Sequence, residues 1–294
     1  MPELPEVEIT ARRLDEALAG AEIESTMAPG INALKTFDPP LHALDGRTIE
    51  DIRRRGKHLV IAVEGELAVL VHLMSAGRLQ LYDKRASLRD RTSRLLIRVA
   101  GGGAHAAGGG GSRELRLREF GTKQAAWVKV LRAPELEDDP ALATLGPDAW
   151  PEPPEDLRER LAAQGARPLH SVLRDQRVIA GIGRSWVDEI LWTAQLSPFE
   201  RANDLTDEQD ETLRTAIRDV LDGTLRHYEE VVQLPIPDKL PLPLQVHRHQ
   251  GEPCPRCGTT IEAVHYEDYV MCYCPHDQTG GRVLKDRRLS RLLK

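Results

Sequence analysis

LRDQRVIAGIGRSWVDEIL, residues 173–191, is the stretch on which the reading of the chain turns. A helical pattern runs into Gly181-Ile182-Gly183, and a second one starts at Arg184. Two helices joined by a glycine turn place the N-terminal amides of the second where a phosphate can sit, which suffices to hold a nucleic-acid backbone. The same pattern also suits a plain helix–turn–helix whose glycines exist for close packing. The flanking sequence separates the two.

Toward the N-terminus, helical patterns begin near residue 155, and residues 134–154, rich in Pro and acid, form a boundary. Before it, from about 22 to 132, the pattern is β-type. KHLVIAV (57–63) and ELAVLVHL (66–73) flank Glu64-Gly65 as a hairpin, and SRLLIRVA (93–100) and RELRLREF (113–120) flank GGGAHAAGGGGS (101–112). That loop lacks the strand-then-helix context of a phosphate loop and reads as a hairpin tip. Strands at this spacing make a sandwich or barrel. Residues 5–19 carry Val7, Ala11, Leu14 and Leu18 on one helical stripe. Toward the C-terminus, helices extend to about 230, LPIPDKLPLPL (234–244) makes a stiff connector, and a cysteine module closes the chain.

A chain of 294 residues suggests about two domains, and 40% hydrophobic residues suffice for a real core. No apolar run or leader points to a membrane, so a soluble cytoplasmic protein is expected. The formal charge of −6 argues against a nucleic-acid partner only superficially. Residues 134–160 hold nine acids against two arginines, net −7, which leaves the remainder near +1. Basic residues concentrate at Arg53-Arg54-Arg55-Gly56-Lys57 and at 282–294. The four cysteines fall between 254 and 274, and such clustering indicates a metal site rather than a disulfide framework.

PELPEVE (2–8) adds chemistry at the extreme N-terminus. Removal of Met1 leaves Pro2 as a terminal secondary amine. An α-amine titrates near about 8, against about 10.4 for Lys, so more of it is free nucleophile at neutral pH. Glu3 and Glu6 follow within a helical turn, where acids also favour the helix dipole.

PELPEVE, RRGKHL (54–59) with Lys57 on a hairpin strand, and the 173–191 helix pair occur in that order, followed by the cysteine module. Together they resemble the formamidopyrimidine-DNA glycosylase and endonuclease VIII family of DNA repair enzymes, over nearly the whole chain. The opening favours the formamidopyrimidine branch. The resemblance implies a multi-domain α+β fold: an N-terminal helix plus β-sandwich (2–133), an acidic linker (134–154), a helix-two-turn-helix domain (155–244), a zinc-finger β-hairpin (245–281) and a basic tail (282–294).

It also implies roles. Pro2 would attack C1′ of a damaged nucleotide and form a Schiff base, Glu3 would move protons at the sugar, Glu6 would orient the amine, and Lys57 would contact the DNA backbone. Because the base must leave the duplex, Arg118 and Phe120 stand at the positions of a void-filling Arg and a wedging Phe, although a strand Phe is more often core. Further DNA-contacting positions fall on His72, Ser75, His170, Gly183, Arg184 and Tyr269.

Several of these depart from the family pattern. Arg184 replaces an Asn, His170 a Lys, Ser75 a Met (with Met74 one place early) and Tyr269 an Arg. The Pro/Leu-rich stretch 234–244 stands where a Gly-rich lesion-capping loop is usual. The preferred base therefore stays open.

Cys254-Pro-Arg-Cys257 and, after sixteen intervening residues, Cys274-Pro-His-Asp277 form two knuckles for one structural zinc, with Asp in place of a fourth Cys. Asp277 is the first candidate for the fourth ligand, with Cys272 and His276 as alternatives. The expected function is a monomeric bifunctional glycosylase and abasic-site lyase on double-stranded DNA containing damaged bases or abasic sites. The alternatives are an oxidised-pyrimidine lyase, a non-catalytic binder of abasic or bent DNA, and a zinc-ribbon structural protein.

Overall fold

The stripe of Val7, Ala11, Leu14 and Leu18 forms helix α1 (Leu4–Leu18), and all four side chains lie in the core. Glu3 caps the helix in a capping box with Glu6, and Pro5 stands in the first turn, where its missing N–H costs nothing. The structure is a computed structural model that describes residues 2–87, 89–101, 111–120, 124–267 and 269–284. Most of the 101–112 loop and of the 282–294 tail lies outside the described residues.

Eight strands follow α1: β1 (Ile23–Met27), β2 (Ile49–Arg55), β3 (His58–Val63), β4 (Leu67–His72), β5 (Gly77–Tyr82), β6 (Ser93–Val99), β7 (Arg113–Glu119) and β8 (Trp127–Arg132). They pair antiparallel into two four-stranded sheets, β1-β6-β7-β5 and β2-β3-β4-β8. Both expected hairpins are present. Arg55 pairs with His58 across the β2–β3 turn, so Lys57 lies in that turn beside Gly56 (φ +58°) and not on a strand. One core draws on both sheets and α1: Leu14 and Leu18 meet Leu59, Ile61, Val69, Leu95, Ile97 and Leu117. Truncating a fully buried leucine such as Leu14 to Ala costs about 2–5 kcal/mol.

The remaining elements are α2 (Pro140–Ala143), α3 (Leu157–Ala162), α4 (Leu169–Leu173), α5 (Arg184–Thr193), α6 (Asp207–Val231), β9 (Glu262–His265), β10 (Val270–Tyr273) and α7 (Pro275–Thr279). Strands β9 and β10 form the expected hairpin. Among the described residues no helix is long and apolar enough to cross a membrane.

The chain divides into two units whose bounds differ from the expected ones. The first comprises residues 1–144 and 228–241, and the second residues 145–227 and 242–294. The first half of the acidic "linker" is therefore part of the first unit, where Asp139 caps α2 through the Ala141 N–H at 2.9 Å and accepts from Lys129 Nζ with both oxygens at 2.7 Å. The end of α6 and the Pro-rich segment after it also belong there. Tyr228, Val232 and Ile236 join its core. Gln80 donates to the Ile236 carbonyl at 2.6 Å and Arg78 to that of Asp238 at 2.6 Å. The expected connector is thus, as far as Pro241, a strap pinned along β5.

Candidate functional site

In the first unit the N-terminal carboxylates are buried. Glu3 is 2% exposed and Glu6 8%, while Pro2 is half-buried. The Glu6 carboxylate is held from two directions: the Glu3 backbone N–H donates to one oxygen at 2.8 Å, and the Tyr228 hydroxyl donates to the other at 2.8 Å. Glu6 thereby fixes the peptide adjoining the Pro2 nitrogen. Burial first, then the charge of Glu6, drives the Tyr228 phenol far above its usual range, so it stays a donor. Both acids thus serve the helix start, as first-turn acids do, and lie beside the Pro2–Glu3 peptide. Sequence reasoning missed Tyr228. Its only signal was a Tyr on the α6 stripe of Leu213, Ile217, Leu221 and Leu225.

Lys57 is 7% exposed. The basic run around it is partly neutralised: Arg53 pairs with Asp51 at 2.7 Å, and Arg54 with Glu8 at 2.9 Å. Beside Lys57, His58 and His72 face each other with ring centroids 4.5 Å apart, and Trp127 lies 5.5 and 5.6 Å from them. Burial pushes His58 down to about 4 and His72 to about 3, with the charge of Lys57 adding to both. His72 is therefore a neutral ring, and its Nδ1 accepts from the Met74 amide at 3.0 Å. Ser75 is exposed in the turn after β4, where Met74 adopts φ +49°.

Arg118 lies on β7 with its guanidinium 4.6 Å over the half-buried Phe120 ring. It donates to Tyr82 Oη at 2.7 Å and to Thr92 Oγ1 at 3.1 Å. The two expected void-filling residues are therefore stacked on each other, and Arg118 has partners of its own on the sheet.

In the second unit the 173–191 stretch forms the end of α4, a turn and α5. Gln176 shapes the turn: its amide donates to the carbonyls of Arg174 and Ile182, and its carbonyl accepts from Gly181 N–H at 2.9 Å. Gly181 needs φ +105°, a conformation open to Gly. Gly183 caps α5 without a side chain.

His170 corrects the expectation of a surface phosphate ligand. It is 2% exposed and its Nε2 faces Asp188 Oδ1 at 3.1 Å. Asp188 also faces His247 Nδ1 at 2.7 Å and accepts from the Cys272 N–H at 2.9 Å. Glu189 accepts the amides of Gln245, Val246 and His247 at 2.8–3.0 Å. Burial raises the Glu189 carboxyl, and those three amides pull it back. This acid pair, unread in the sequence, was signalled by two acids inside the apolar run of α5. Tyr269 stacks on Tyr266 at 4.3 Å, with the guanidiniums of Arg174 at 4.1 Å and Arg184 at 5.1 Å from its ring centroid. The Tyr269 ring is thus flanked by two arginines.

Cys254, Cys257, Cys274 and Asp277 bring one donor atom each within 4.8 Å of one another. Ligand sulfurs around a tetrahedral zinc lie about 3.8 Å apart, so this donor set fits such an ion. Cys272 stands outside the cluster. Its Sγ accepts from the Arg248 N–H at 3.3 Å, and burial pushes its thiol up to about 11. His276 has its side chain 69% exposed and its Nδ1 turned to Asp277 Oδ1 at 3.2 Å, which leaves Asp277 as the fourth donor.

Residues 1–121 match the model of the formamidopyrimidine-DNA glycosylase N-terminal domain, and residues 145–234 that of the formamidopyrimidine-DNA glycosylase H2TH domain. Formamidopyrimidine-DNA glycosylase of Moorella thermoacetica is 33% identical over 286 residues, covering 90% of this chain and 94% of that protein. Its Streptococcus agalactiae serotype III counterpart is 30% identical over 275 residues, 89% of this chain and 93% of that one. A solved complex of Lactococcus lactis Fpg with DNA containing an abasic site shares the fold, with TM-score 0.80 at 23% identity over 94% of this chain and 99% of that one.

Proposed function

Because the chain belongs to the formamidopyrimidine-DNA glycosylase family, we propose that it is a bifunctional DNA glycosylase and abasic-site lyase of base excision repair, acting on oxidised bases in double-stranded DNA. The observation that carries this reading is the N-terminal centre: Pro2 directly before two buried carboxylates, one of them held by Tyr228.

The chemistry follows from those groups. The Pro2 nitrogen, freed by loss of Met1, bonds to C1′ as the glycosidic bond breaks and the base leaves with a proton. Glu3 gives a proton to the ring oxygen as the sugar opens, and the lost nitrogen proton leaves an iminium. The iminium acidifies C2′, so loss of its proton expels the 3′ phosphate, and a second elimination releases the 5′ phosphate. Glu6 fixes the peptide beside the amine, and Lys57 offers a cation to the neighbouring phosphate.

The N-terminus of α5 and the arginines at Tyr269 supply further backbone contacts, which position DNA without reading sequence. Arg118 and Phe120 would leave their sheet partners to fill the place of the extruded base. Cys254, Cys257, Cys274 and Asp277 would hold a structural zinc, which takes no part in the bond changes. A DNA substrate implies a cytoplasmic, nucleoid-associated protein.

Borohydride trapping on a duplex with one abasic site tests the reading. A covalent adduct is expected that disappears in Pro2→Gly. Tight binding by protein with a free Pro2, without any trapping, would instead assign a non-catalytic binder.

A further inference from the structure

A carboxylate that replaces a thiolate in a zinc knuckle meets two demands that sulfur does not. It has two oxygens, so one must be aimed, and it keeps its hydration more strongly, so a nearby positive charge must offset its burial. Both demands are met here by one side chain. Arg256, between the two cysteines of the first knuckle, places Nη1 3.3 Å from Asp277 Oδ2. That same oxygen lies 3.6 Å from Cys254 Sγ. The other oxygen is turned away, toward His276.

Arg256 is itself anchored. Its Nη1 donates to the Trp192 carbonyl at 3.0 Å, in the last turn of α5 where a cation is favoured, and its guanidinium lies 4.2 Å over the Trp192 ring.

We infer that Arg256 is the positioning residue that makes Asp277 a competent fourth metal ligand, so that the chain has exchanged a fourth thiolate for an arginine-supported carboxylate. This rests on the metal reading given above. Removing Arg256 weakens metal binding only while position 277 is a carboxylate.

The test uses the full chain in two backgrounds, wild type and Asp277→Cys, with zinc affinity measured by competition with a chromophoric chelator. Arg256→Ala is expected to weaken zinc binding about 10–100-fold in the wild-type background. In the Asp277→Cys background the change should stay within about threefold, because the coupled partner is gone. Cobalt(II) substituted into wild-type protein should give the visible bands of three sulfurs and one oxygen, altered by Arg256→Ala. Arg256→Lys keeps the charge but loses the planar fork, and an intermediate loss is expected. Equal losses in both backgrounds, or none in either, would overturn the inference, since Arg256 would then act on the fold or not at all. Wild-type protein that binds neither zinc nor cobalt would overturn the metal reading itself, a result distinguishable from the others.

Discussion

Two pairs of buried carboxylates stand on two helices, Glu3 and Glu6 at the start of α1 and Asp188 and Glu189 in the middle of α5. By composition and burial they look alike. Their partners differ. The second pair takes two histidines and four backbone amides, so its oxygens serve to fasten the 245–247 segment and β10 to α5. The first pair adjoins Pro2, and one of its members is aimed by a phenol. Burial alone therefore does not mark a functional acid. Under the proposed mechanism, what marks one is the neighbouring nucleophile.

The largest effect that tests this contrast is at Glu3. Glu3→Gln keeps the size of the side chain but removes a proton carrier, and excision and trapping should fall about 10²–10⁴-fold. Its thermal stability should drop by no more than about 1 kcal/mol, the usual scale of a lost cap. Full activity in Glu3→Gln would break the comparison, leaving both acid pairs structural.

Asp188→Ala is the reverse experiment. It strips the partner from His170, His247 and the Cys272 amide together, and a loss of about 3 kcal/mol or more in urea unfolding is expected. Trapping per folded molecule should be unchanged. A collapse of trapping without loss of stability would place the second pair in the chemistry as well.

A smaller effect concerns pH. His58 is held near 4 in the folded chain by burial, against about 6.5 when unfolded, so the unfolded state takes up its proton first as pH falls. The stability His58 supplies is whole above about 6.5 and drains away down to about 4. Between pH 7 and 5 the loss is about 1–2 kcal/mol for this ring. Urea titrations at the two pH values measure it, and His58→Phe should flatten the slope; an unchanged slope would mean the ring does not titrate there.

The smallest effect is at the α5 terminus. Arg184→Ala should lower the salt dependence of duplex binding by about one unit of slope and weaken every sequence alike. An unchanged slope would remove Arg184 from the phosphate contacts.

Much of this architecture is legible in the chain. Short β-type runs between turn residues marked β3, β4, β6 and β7, and the apolar stripe marked α1, because the local pattern carries those elements. The glycine turn before α5 was legible because Gly181 needs a conformation that few other residues tolerate. The cysteine spacing disclosed the donor cluster, and geometry then separated Asp277 from Cys272. The rest depends on distant pairs. Nothing local to His170 announces an acid eighteen residues on that draws it inside. Tyr228 meets Glu6 across 222 positions, and the segment after α6 looks like a connector until Gln80 and Arg78 are seen to hold it.

That strap bears on how the protein is made. The first unit is finished only by Tyr228, Val232, Ile236 and the residues up to Pro241. After Thr144 leaves the ribosome, about a hundred further residues must be added, which at roughly 5–20 residues per second takes several seconds or more. Through that interval the strands of both sheets exist without the chain that plugs their core, and Glu6 has no phenol to meet. The amino terminus is synthesised first, and its surroundings are completed only when most of the chain has been translated.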